Sequence, residues 1–452
     1  MRRLAAYRPH ILLFVLGLVV YGAVAGPRLA EQSANPHFVY QADAWLSGQL
    51  SLDEHPPGAD DPAVVERVLL EDGREVRGRS LRTSNAFLTT GGETVPADKV
   101  REELDETYYV SFPPLPAVLM IPQVAVRGTS ANDVVPSVLV AALILPLAFA
   151  ALRRLAAEGI SKRTPREDAL VTVALGFGTV LFFTAAQGSV WFTAHVVGVA
   201  LAFAYLYCSV GARYPILAGL CLGFAAVTRT PMAFMFPLFL FEAWRVCGGR
   251  DDLRAVAKTC LAFAAPIAVI AVVAMAHNAA RFDALTEFGH SYLRVRQQAQ
   301  IEEQGLFDWS YLSRNLAALT ALLPALSTES PYVTISGHGV ALWMTTPLFV
   351  FLLWPKARGA LHMSLWVTVV CVALPSLLYQ NSGWVQFGQR FSLDYTPFLF
   401  ALLAIGQRPF RWPAKTLVAA AIAINLYGAI TFGRVWEVYD TSPEAYECVI
   451  PH

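Results

Sequence analysis

Charged side chains are scarce in this sequence. Asp, Glu, Lys and Arg make up 15% of the 452 residues, whereas soluble domains carry about a quarter of charged residues. The 34 basic and 34 acidic residues balance to a net charge of zero, so no basic excess indicates a nucleic-acid partner. The low charge therefore argues against both a soluble globular domain and a nucleic-acid-binding protein.

Cysteine is also rare, with six residues in the chain. Four of them lie inside apolar runs, without the spacing of metal ligands or of a disulfide framework: Cys208, Cys221, Cys260 and Cys371. We interpret them as small core residues. No metal site is predicted from the sequence.

Several catalytic motifs are missing. The sequence has no GxGxxG, P-loop, HExxH or nucleophile-elbow motif. Nucleotide-dependent and hydrolytic chemistries therefore lose support.

Long apolar runs are abundant. The chain is 55% hydrophobic, with a mean hydropathy of +0.46. Runs long enough to span about 30 Å of hydrocarbon occur near residues 10–27, 134–152, 168–186, 191–210, 214–228, 231–246, 255–276, 337–354, 361–379, 393–407 and 415–432. The first run resembles a signal peptide, but the many later runs favour an uncleaved anchor. The pattern predicts an all-α polytopic membrane protein over residues 1–452, with about eleven transmembrane helices.

The apolar segment at residues 113–126 is the exception to this pattern. Counted as a span, it would place the five basic residues of "RRLAAEGISKRTPR" outside, against the positive-inside rule. Its prolines favour a helix lying on the outer surface. The basic loops "RRLAAEGISKRTPR", "WRVCGGRDDLRAVAK", "WPKARG" and "QRPFRWPAK" then all face the cytoplasm, with the amino terminus inside and the carboxyl terminus outside.

This topology leaves two long extracytoplasmic loops, at residues 28–133 and 277–336. Loops of this length usually carry function. Within the first loop, turns at Asp72-Gly73 and Gly91-Gly92 separate alternating strands, so residues 63–100 are predicted to form a small insert of two β-hairpins. The insert is too short for a large core, and we expect it to pack on the membrane domain or on a partner.

Aromatic and single charged residues concentrate in the predicted outer loops. They lie in "HFVYQADAWLSG", "DETYYVSFPPLP", "QGSVWFTAH", "HNAARFDALTEFGHSYLRVR" and "YQNSGWVQFGQRFSLDY". Such loops suit a site for an amphiphile, with rings against a sugar or lipid and Arg or His against phosphate. The alternative is an aromatic belt with solvated loops.

Four of these stretches together resemble the GT-C superfamily of membrane glycosyltransferases. They are the Asp43-containing "NPHFVYQADAWLSGQLSL" after the first helix, "YYVSFPPLP", "HNAARFDALTEFGHSY" and "GWVQFGQRF". The nearest resemblance is to the bacterial glycosyltransferase family 39 group, which includes protein O-mannosyltransferases and the lipid A aminoarabinose transferase. It implies a bacterial inner-membrane enzyme that moves a sugar, by inversion, from a polyprenyl-phosphate carrier to an extracytoplasmic lipid, glycan or protein.

The resemblance also implies a first-loop carboxylate as general base, and Asp43 is the first candidate for that role. The chain departs from the family here, because Asn35 and Pro36 hold the place of the usual acidic pair. Asp43 is therefore either a substitute base or a solvated helix residue. Asp105 and Glu106 are the alternative bases.

Cationic and aromatic residues of the same stretches are the candidates for substrate binding. Arg390 has the planar donors that suit a carrier phosphate. Arg229 lies between two short spans, where an arginine is costly without a partner. The predicted substrate-binding residues are Arg390, Arg229, His195, Arg281, Tyr108, Tyr109 and Gln389. The need for a divalent cation stays open, and so does the alternative role of each residue as an anchor, a structural pair or a core histidine.

Two other functions remain open from the sequence. A transporter or flippase for a lipid-linked substrate would need no base, but such proteins often show internal repeats and polar mid-membrane helices. No repeat is evident here. A non-catalytic scaffold in envelope assembly is the third hypothesis, because the usual acidic pair is missing.

Overall fold

The computed structural model describes residues 2–58 and 61–447, with side chains from Tyr7 onward. The α-helices are α1 Arg2–Ala25, α2 His37–Leu46, α3 Leu115–Arg127, α4 Val134–Ala157, α5 Pro165–Phe177, α6 Leu181–Thr184, α7 Val190–Ser209, α8 Pro215–Ala226, α9 Pro237–Val246, α10 Leu253–Phe282, α11 Gln298–Gln304, α12 Leu312–Thr320, α13 Leu342–Thr345, α14 Ala360–Leu377, α15 Thr396–Ile405, α16 Trp412–Thr431 and α17 Pro443–Glu447. The strands are β1 Ala63–Leu70, β2 Glu75–Leu81, β3 Ala86–Thr89, β4 Thr94–Pro96, β5 Val100–Tyr109, β6 Ala325–Leu326, β7 Val333–Ser336 and β8 Tyr439–Asp440.

Six helices of the described chain are long and apolar enough to cross a membrane. They are Tyr7–Leu29, Val134–Ala157, Val190–Ala212, Gly249–Phe282, Ala360–Leu377 and Trp412–Thr431. Each coincides with a predicted span, so the prediction of a mostly helical membrane protein with a small sheet is confirmed. The count of eleven and the predicted orientation stay predictions.

The other five predicted spans fall on shorter or interrupted helices. The run at 168–186 breaks where α5 ends at Phe177, and a side chain at the next residue, Gly178, would lie 2.8 Å from the Ala174 carbonyl oxygen. The run at 337–354 holds only the four-residue α13 and a 3-10 turn that begins at Pro347. Proline and glycine thus divide apolar runs that hydropathy alone joins.

The helices form one core around α4 and α7, whose residues are mostly buried. Helix α10 has the opposite character, because Leu261, Val269 and Val272 are exposed. A helix that is both apolar and exposed over this length is typical of one that faces lipid.

Helix α3 coincides with the segment predicted to lie on the outer surface. It spans 13 residues, or about 20 Å, which is too short to cross the hydrocarbon core. Its inner face packs Met120 and Val124 against Phe38 and Val39 of α2, while Val126 on the other face is exposed.

The insert in the first loop is a five-stranded antiparallel sheet in the order β4-β3-β2-β1-β5. Both predicted turns are present, and Gly73 and Gly92 adopt positive φ values of 85° and 86°. The predicted boundary at residue 100 is wrong, because β5 continues the sheet to Tyr109. The sequence of β5, "VREELDETYY", is rich in acidic residues and poor in the β-branched residues that indicate strands.

The sheet packs on the end of α10. The Tyr109 ring lies 5.4 Å from the Phe282 ring, and Arg77 Nη2 donates to the Arg281 carbonyl oxygen at 2.9 Å. The apolar cluster inside the sheet contains four buried residues, Val68, Leu70, Phe87 and Val95. Such a small core needs this docking for stability.

Candidate functional site

A cavity of about 690 Å³ lies where loops join one end of the long helices. Its wall comes from the start of α7, the residues after α8, the end of α14, the end of the first loop, residues 286–297 and residues 379–391. Two stretches singled out in the sequence, "EFGHSYLRVR" and "GWVQFGQRF", therefore meet in one site although about ninety residues separate them.

The cavity combines cations with aromatic rings. Four arginines line it: Arg229, Arg294, Arg296 and Arg390. Its aromatic residues are Phe112, Trp191, Phe288, Phe307, Tyr379, Trp384 and Phe391. Two carboxylates, Asp61 and Glu287, also belong to the wall.

Arg229 is held by a buried carboxylate. Its Nη2 lies 2.8 Å from Asp394 Oδ2 and its Nε 3.2 Å from Oδ1, and His195 Nδ1 lies 3.1 Å from the same Oδ1. The predicted requirement for a partner is thus met. The charge of Asp394 is shared between Arg229 and His195, which both reach the cavity wall.

Arg390 has no carboxylate within 4 Å among the described residues. It is only 5% exposed, its Nη1 donates to the Val385 carbonyl oxygen at 3.2 Å, and its Nε has no partner in the described chain. The guanidinium lies 5.0 Å from the centre of the Phe192 ring. Burial and the neighbouring Arg229 lower the pKa of Arg390 to about 9, so the side chain still carries its charge at neutral pH.

Two glutamines fix the backbone around Arg390. Gln386 Oε1 accepts from the Arg390 backbone N–H at 2.8 Å, and Gln389 Oε1 accepts from the Phe391 N–H at 2.9 Å. Gln389 is absent from the cavity wall. It supports the backbone at Phe391, and its predicted role in substrate binding stays a prediction.

Asp61 is the cavity carboxylate that comes from the first loop. It is 8% exposed; its Oδ1 lies 2.5 Å from His37 Nε2, and its Oδ2 accepts from Trp191 Nε1 at 3.1 Å. These two donors orient the carboxylate, and a carboxylate offers about four lone-pair sites. Lone pairs on both oxygens therefore remain for a further donor in the cavity.

The three predicted bases lie elsewhere. Asp43 is half-buried on α2 and faces Gly128, 3.8 Å from the position of a Cβ there. Asp105 is an exposed residue of β5 whose Oδ2 lies 2.6 Å from Arg67 Nη2. Glu106 bonds the Tyr108 hydroxyl at 2.6 Å and Arg294 at 2.6 Å. None of the three lines the cavity.

The hydrogen bonds of Glu106 also weaken it as a base. The Tyr108 hydroxyl, and then Arg294, lower the pKa of the Glu106 carboxyl. A carboxylate with a lowered pKa accepts a proton less readily. Glu106 instead holds Arg294, which lines the cavity, against the sheet.

Three predicted substrate-binding residues lie outside the cavity wall, and their role in binding stays a prediction. Arg281 is fully buried, and its Nη1 donates to the Val110 carbonyl oxygen at 2.9 Å. The Tyr109 hydroxyl accepts from Arg77 at 3.3 Å, and Tyr108 contacts Glu106 on the sheet. Arg281 and Tyr109 join the insert to α10, Tyr108 bonds within β5, and none of the three lines the cavity.

Metal binding has no evident centre in the described chain. Residues 2–58 and 61–447 contain no group of three or more His, Cys, Asp and Glu side chains that could hold an ion. The question of a divalent cation stays open.

Comparison with known proteins gives two solved structures. No protein-family model matches the chain, and no curated protein matches it significantly. The Archaeoglobus fulgidus oligosaccharyltransferase is similar in its apo form, with 10% identity, a TM-score of 0.47 and coverage of 97% of this chain and 59% of that chain. The same protein tethered to an acceptor peptide gives 10% identity, a TM-score of 0.42 and coverage of 98% and 58%.

The chain thus spans about three fifths of the length of that protein. At this identity and with TM-scores below 0.5, the similarity does not establish the activity of this chain.

Proposed function

We propose that this chain is a glycosyltransferase that moves a sugar from a polyprenyl-phosphate-linked donor to a hydroxyl of an extracytoplasmic acceptor. The observation that carries the proposal is the pairing, in one aromatic cavity, of a first-loop carboxylate with a buried arginine. Asp61 and Arg390 are these two groups. A base and a phosphate-binding cation are the two groups that this transfer requires.

Arg390 supports binding of the carrier phosphate. A buried guanidinium without a carboxylate partner is electrostatically costly and favours an anion in the cavity. Its planar donors suit two phosphate oxygens. Arg229 adds positive charge nearby, although Asp394 neutralises part of it.

Asp61 takes the place that the sequence had given to Asp43. In the proposed step, the acceptor oxygen forms a bond to the anomeric carbon while the bond between that carbon and the phosphate oxygen breaks. The electron pair leaves with the phosphate, and Asp61 accepts the proton of the acceptor hydroxyl. A single displacement of this kind inverts the anomeric centre, and the phosphate leaves without a proton from an acid.

The aromatic wall supports a sugar substrate. The rings of Trp191, Phe112 and Tyr379 surround the region of Asp61 and Arg390, and apolar ring faces pack well on the C–H faces of sugars. Binding energy from these rings would hold the anomeric carbon between base and phosphate.

The direct test uses the full chain in liposomes with a labelled polyprenyl-phosphate sugar. Membranes of the producing cell supply acceptors, and slow transfer to water gives a readout that needs no acceptor. We expect the label to leave the carrier with the parent chain and not with Asp61→Asn. A parent chain that moves the intact lipid-linked sugar across the bilayer and transfers none would establish the transporter hypothesis instead.

A further inference from the structure

A second group of loops meets at the other end of the long helices. Ser161 Oγ donates to the Ala404 carbonyl oxygen at 3.2 Å, and the Lys356 backbone N–H donates to the Gly406 carbonyl oxygen at 2.8 Å. Arg408 Nε donates to the Trp354 carbonyl oxygen. The three loops, at residues 158–164, 353–359 and 406–411, therefore form one continuous surface. We call this surface, together with the first turns of α5 and α16 at residues 165–168 and 412–415, the basic surface.

The basic surface carries a dense set of cations. Its exposed or half-exposed basic residues are Lys162, Arg166, Lys356, Arg358, Arg408, Arg411 and Lys415. None of the seven makes an ion pair within the described residues.

The acidic residues of the basic surface are engaged elsewhere. Glu158 pairs with Arg154 at 2.7 Å, and Asp168 pairs with Arg153 at 2.7 Å. Glu167 closes the capping box of α5 with Thr164. The charge of the seven cations is therefore left for a ligand from outside.

A buried arginine marks a shallow cleft in this surface. Arg163 is 8% exposed; its Nη2 donates to the Leu403 carbonyl oxygen at 2.8 Å, and its guanidinium lies 5.5 Å from the Phe410 ring centre. Its Nε and Nη1 have no partner in the described chain. Arg408 lies beside it, and the apolar residues around the two guanidiniums, Val171, Leu348 and Ala414, are buried in the core. The apolar side chain that the basic surface presents to the outside is Leu353, which is 64% exposed.

Two tryptophans flank the basic surface. Trp354 is 58% exposed and Trp412 is 76% exposed. Exposed tryptophans next to apolar helices are typical of the boundary between headgroups and hydrocarbon. A dissolved phosphate would need the cations alone, whereas the two tryptophans and the exposed Leu353 suit a molecule with acyl chains.

We propose that the basic surface binds an anionic phospholipid, with its headgroup phosphate on Arg408 and the neighbouring cations and its acyl chains along Leu353, Trp354 and Trp412. Clusters of Lys and Arg just beyond membrane helices attract anionic headgroups. The site lies at the opposite end of α4 from the cavity, and it does not depend on the proposed sugar transfer.

The experiment compares lipid binding by the full chain, purified in neutral detergent and freed of lipid. Phosphatidylglycerol and phosphatidylcholine with equal acyl chains are titrated, and bound lipid is counted by native mass spectrometry. We expect about tenfold or greater preference for phosphatidylglycerol in the parent chain. The first charge variant combines Lys162→Gln, Arg166→Gln and Arg411→Gln, and the second combines Lys356→Gln, Arg358→Gln and Lys415→Gln.

The matched control removes three exposed charges from a different basic loop, with Arg250→Gln, Arg254→Gln and Lys258→Gln. Both charge variants should lose most of the preference, and the control should keep it. Equal preference in all four proteins, or none in the parent, would refute the site. Full displacement of phosphatidylglycerol by an equal concentration of inorganic phosphate would also overturn the proposal, because it would show a simple anion site.

Discussion

Asp61 lies 2.5 Å from His37 through Oδ1 and Nε2, and the two residues are 24 positions apart in the first loop. The bond brings a carboxylate into the cavity wall and fixes its direction. His37 itself is completely buried, so its ring acts on Asp61 from behind. This relationship makes Asp61 testable as a base and His37 testable as a positioning residue.

Asp61→Asn should reduce turnover by roughly 100-fold or more, the usual scale for loss of a general base. Asparagine keeps the shape of the side chain and removes its proton affinity, so affinity for the donor should change little. Single-turnover transfer and donor binding are measured on the same preparation. Asp43→Asn is the matched control, and it should transfer sugar at close to the parent rate. The opposite outcome, with Asp43→Asn inactive and Asp61→Asn active, would return the role to Asp43.

His37→Gln should slow the reaction less than His37→Ala. A glutamine amide can still donate to Asp61, whereas alanine leaves the carboxylate with Trp191 as its remaining donor. A hydrogen bond to a charged group contributes about 1.5–3 kcal/mol, so we expect roughly tenfold to 100-fold between the two variants in kcat. The KM for donor should stay near the parent value, and the pH profile of kcat should shift in His37→Ala. Equal kcat and pH profile in both variants would limit His37 to packing.

The sequence predicted the stretches that form the cavity wall, but it did not single out Asp61, the proposed base. "GWVQFGQRF" and "HNAARFDALTEFGHSYLRVR" stand out because aromatic and cationic residues follow apolar helices, and both contribute to the cavity. Asp61 has no such local pattern. Its role depends on His37, 24 residues earlier, and on Trp191, 130 residues later, and contacts at such separation arise only from the tertiary fold.

The same limit explains why other predicted site residues lie outside the cavity wall. Arg281 and Tyr109 lie in stretches that contribute to the cavity, but Arg281 bonds the Val110 carbonyl oxygen and Tyr109 packs on Phe282, away from the cavity wall. The apolar runs gave the positions of the six long helices. They did not give the ends of the shorter helices, because breaks such as the one at Gly178 depend on one or two residues.

The ion pair between Glu106 and Arg294 should stabilise the folded chain more at neutral pH than at acidic pH. The Tyr108 hydroxyl and Arg294 lower the pKa of Glu106 in the folded chain. Because the folded pKa lies below the unfolded value of about 4.3, the stabilisation is present above that value and is lost as pH falls through the folded pKa. Both partners are partly exposed, so solvent screening limits the effect to at most about 1 kcal/mol.

Thermal unfolding of the parent and of Glu106→Gln between pH 3 and 7 tests this dependence. The parent should be slightly more stable at pH 7, and the difference should shrink toward pH 3. Asp105→Asn is the control for general effects on β5, since Asp105 pairs with Arg67 instead. A difference that grows on acidification would contradict the assigned direction of the pKa shift.

Impermeant labelling of single introduced cysteines tests the predicted orientation. Residues 128–133 and 280–330 should be outside, and residues 155–166, 248–253 and 408–413 inside. Glu329→Cys should react in intact cells, whereas Arg411→Cys should react only after the membrane is opened, each measured against the parent chain. Labelling of Arg411→Cys in intact cells would contradict the predicted orientation, because it would place the basic surface outside and the cavity on the cytoplasmic side.

Arg390 separates transfer from transport. If it stabilises the phosphate that departs with the electron pair, its contribution grows as the bond to the anomeric carbon breaks, because charge on the bridging oxygen increases. Its loss should then lower turnover more than donor affinity. Arg390→Lys keeps the charge without the bidentate geometry and should retain partial activity, whereas Arg390→Ala should retain almost none.

Gln389→Ala is the control variant for this prediction. Gln389 supports the backbone after Arg390 through the Phe391 N–H, so its loss should have a smaller effect on turnover. Sugar transfer and donor affinity measured side by side decide the question, provided that all variants reach parent levels in the membrane. Undiminished transfer by Arg390→Ala would show that this guanidinium does not serve the phosphate.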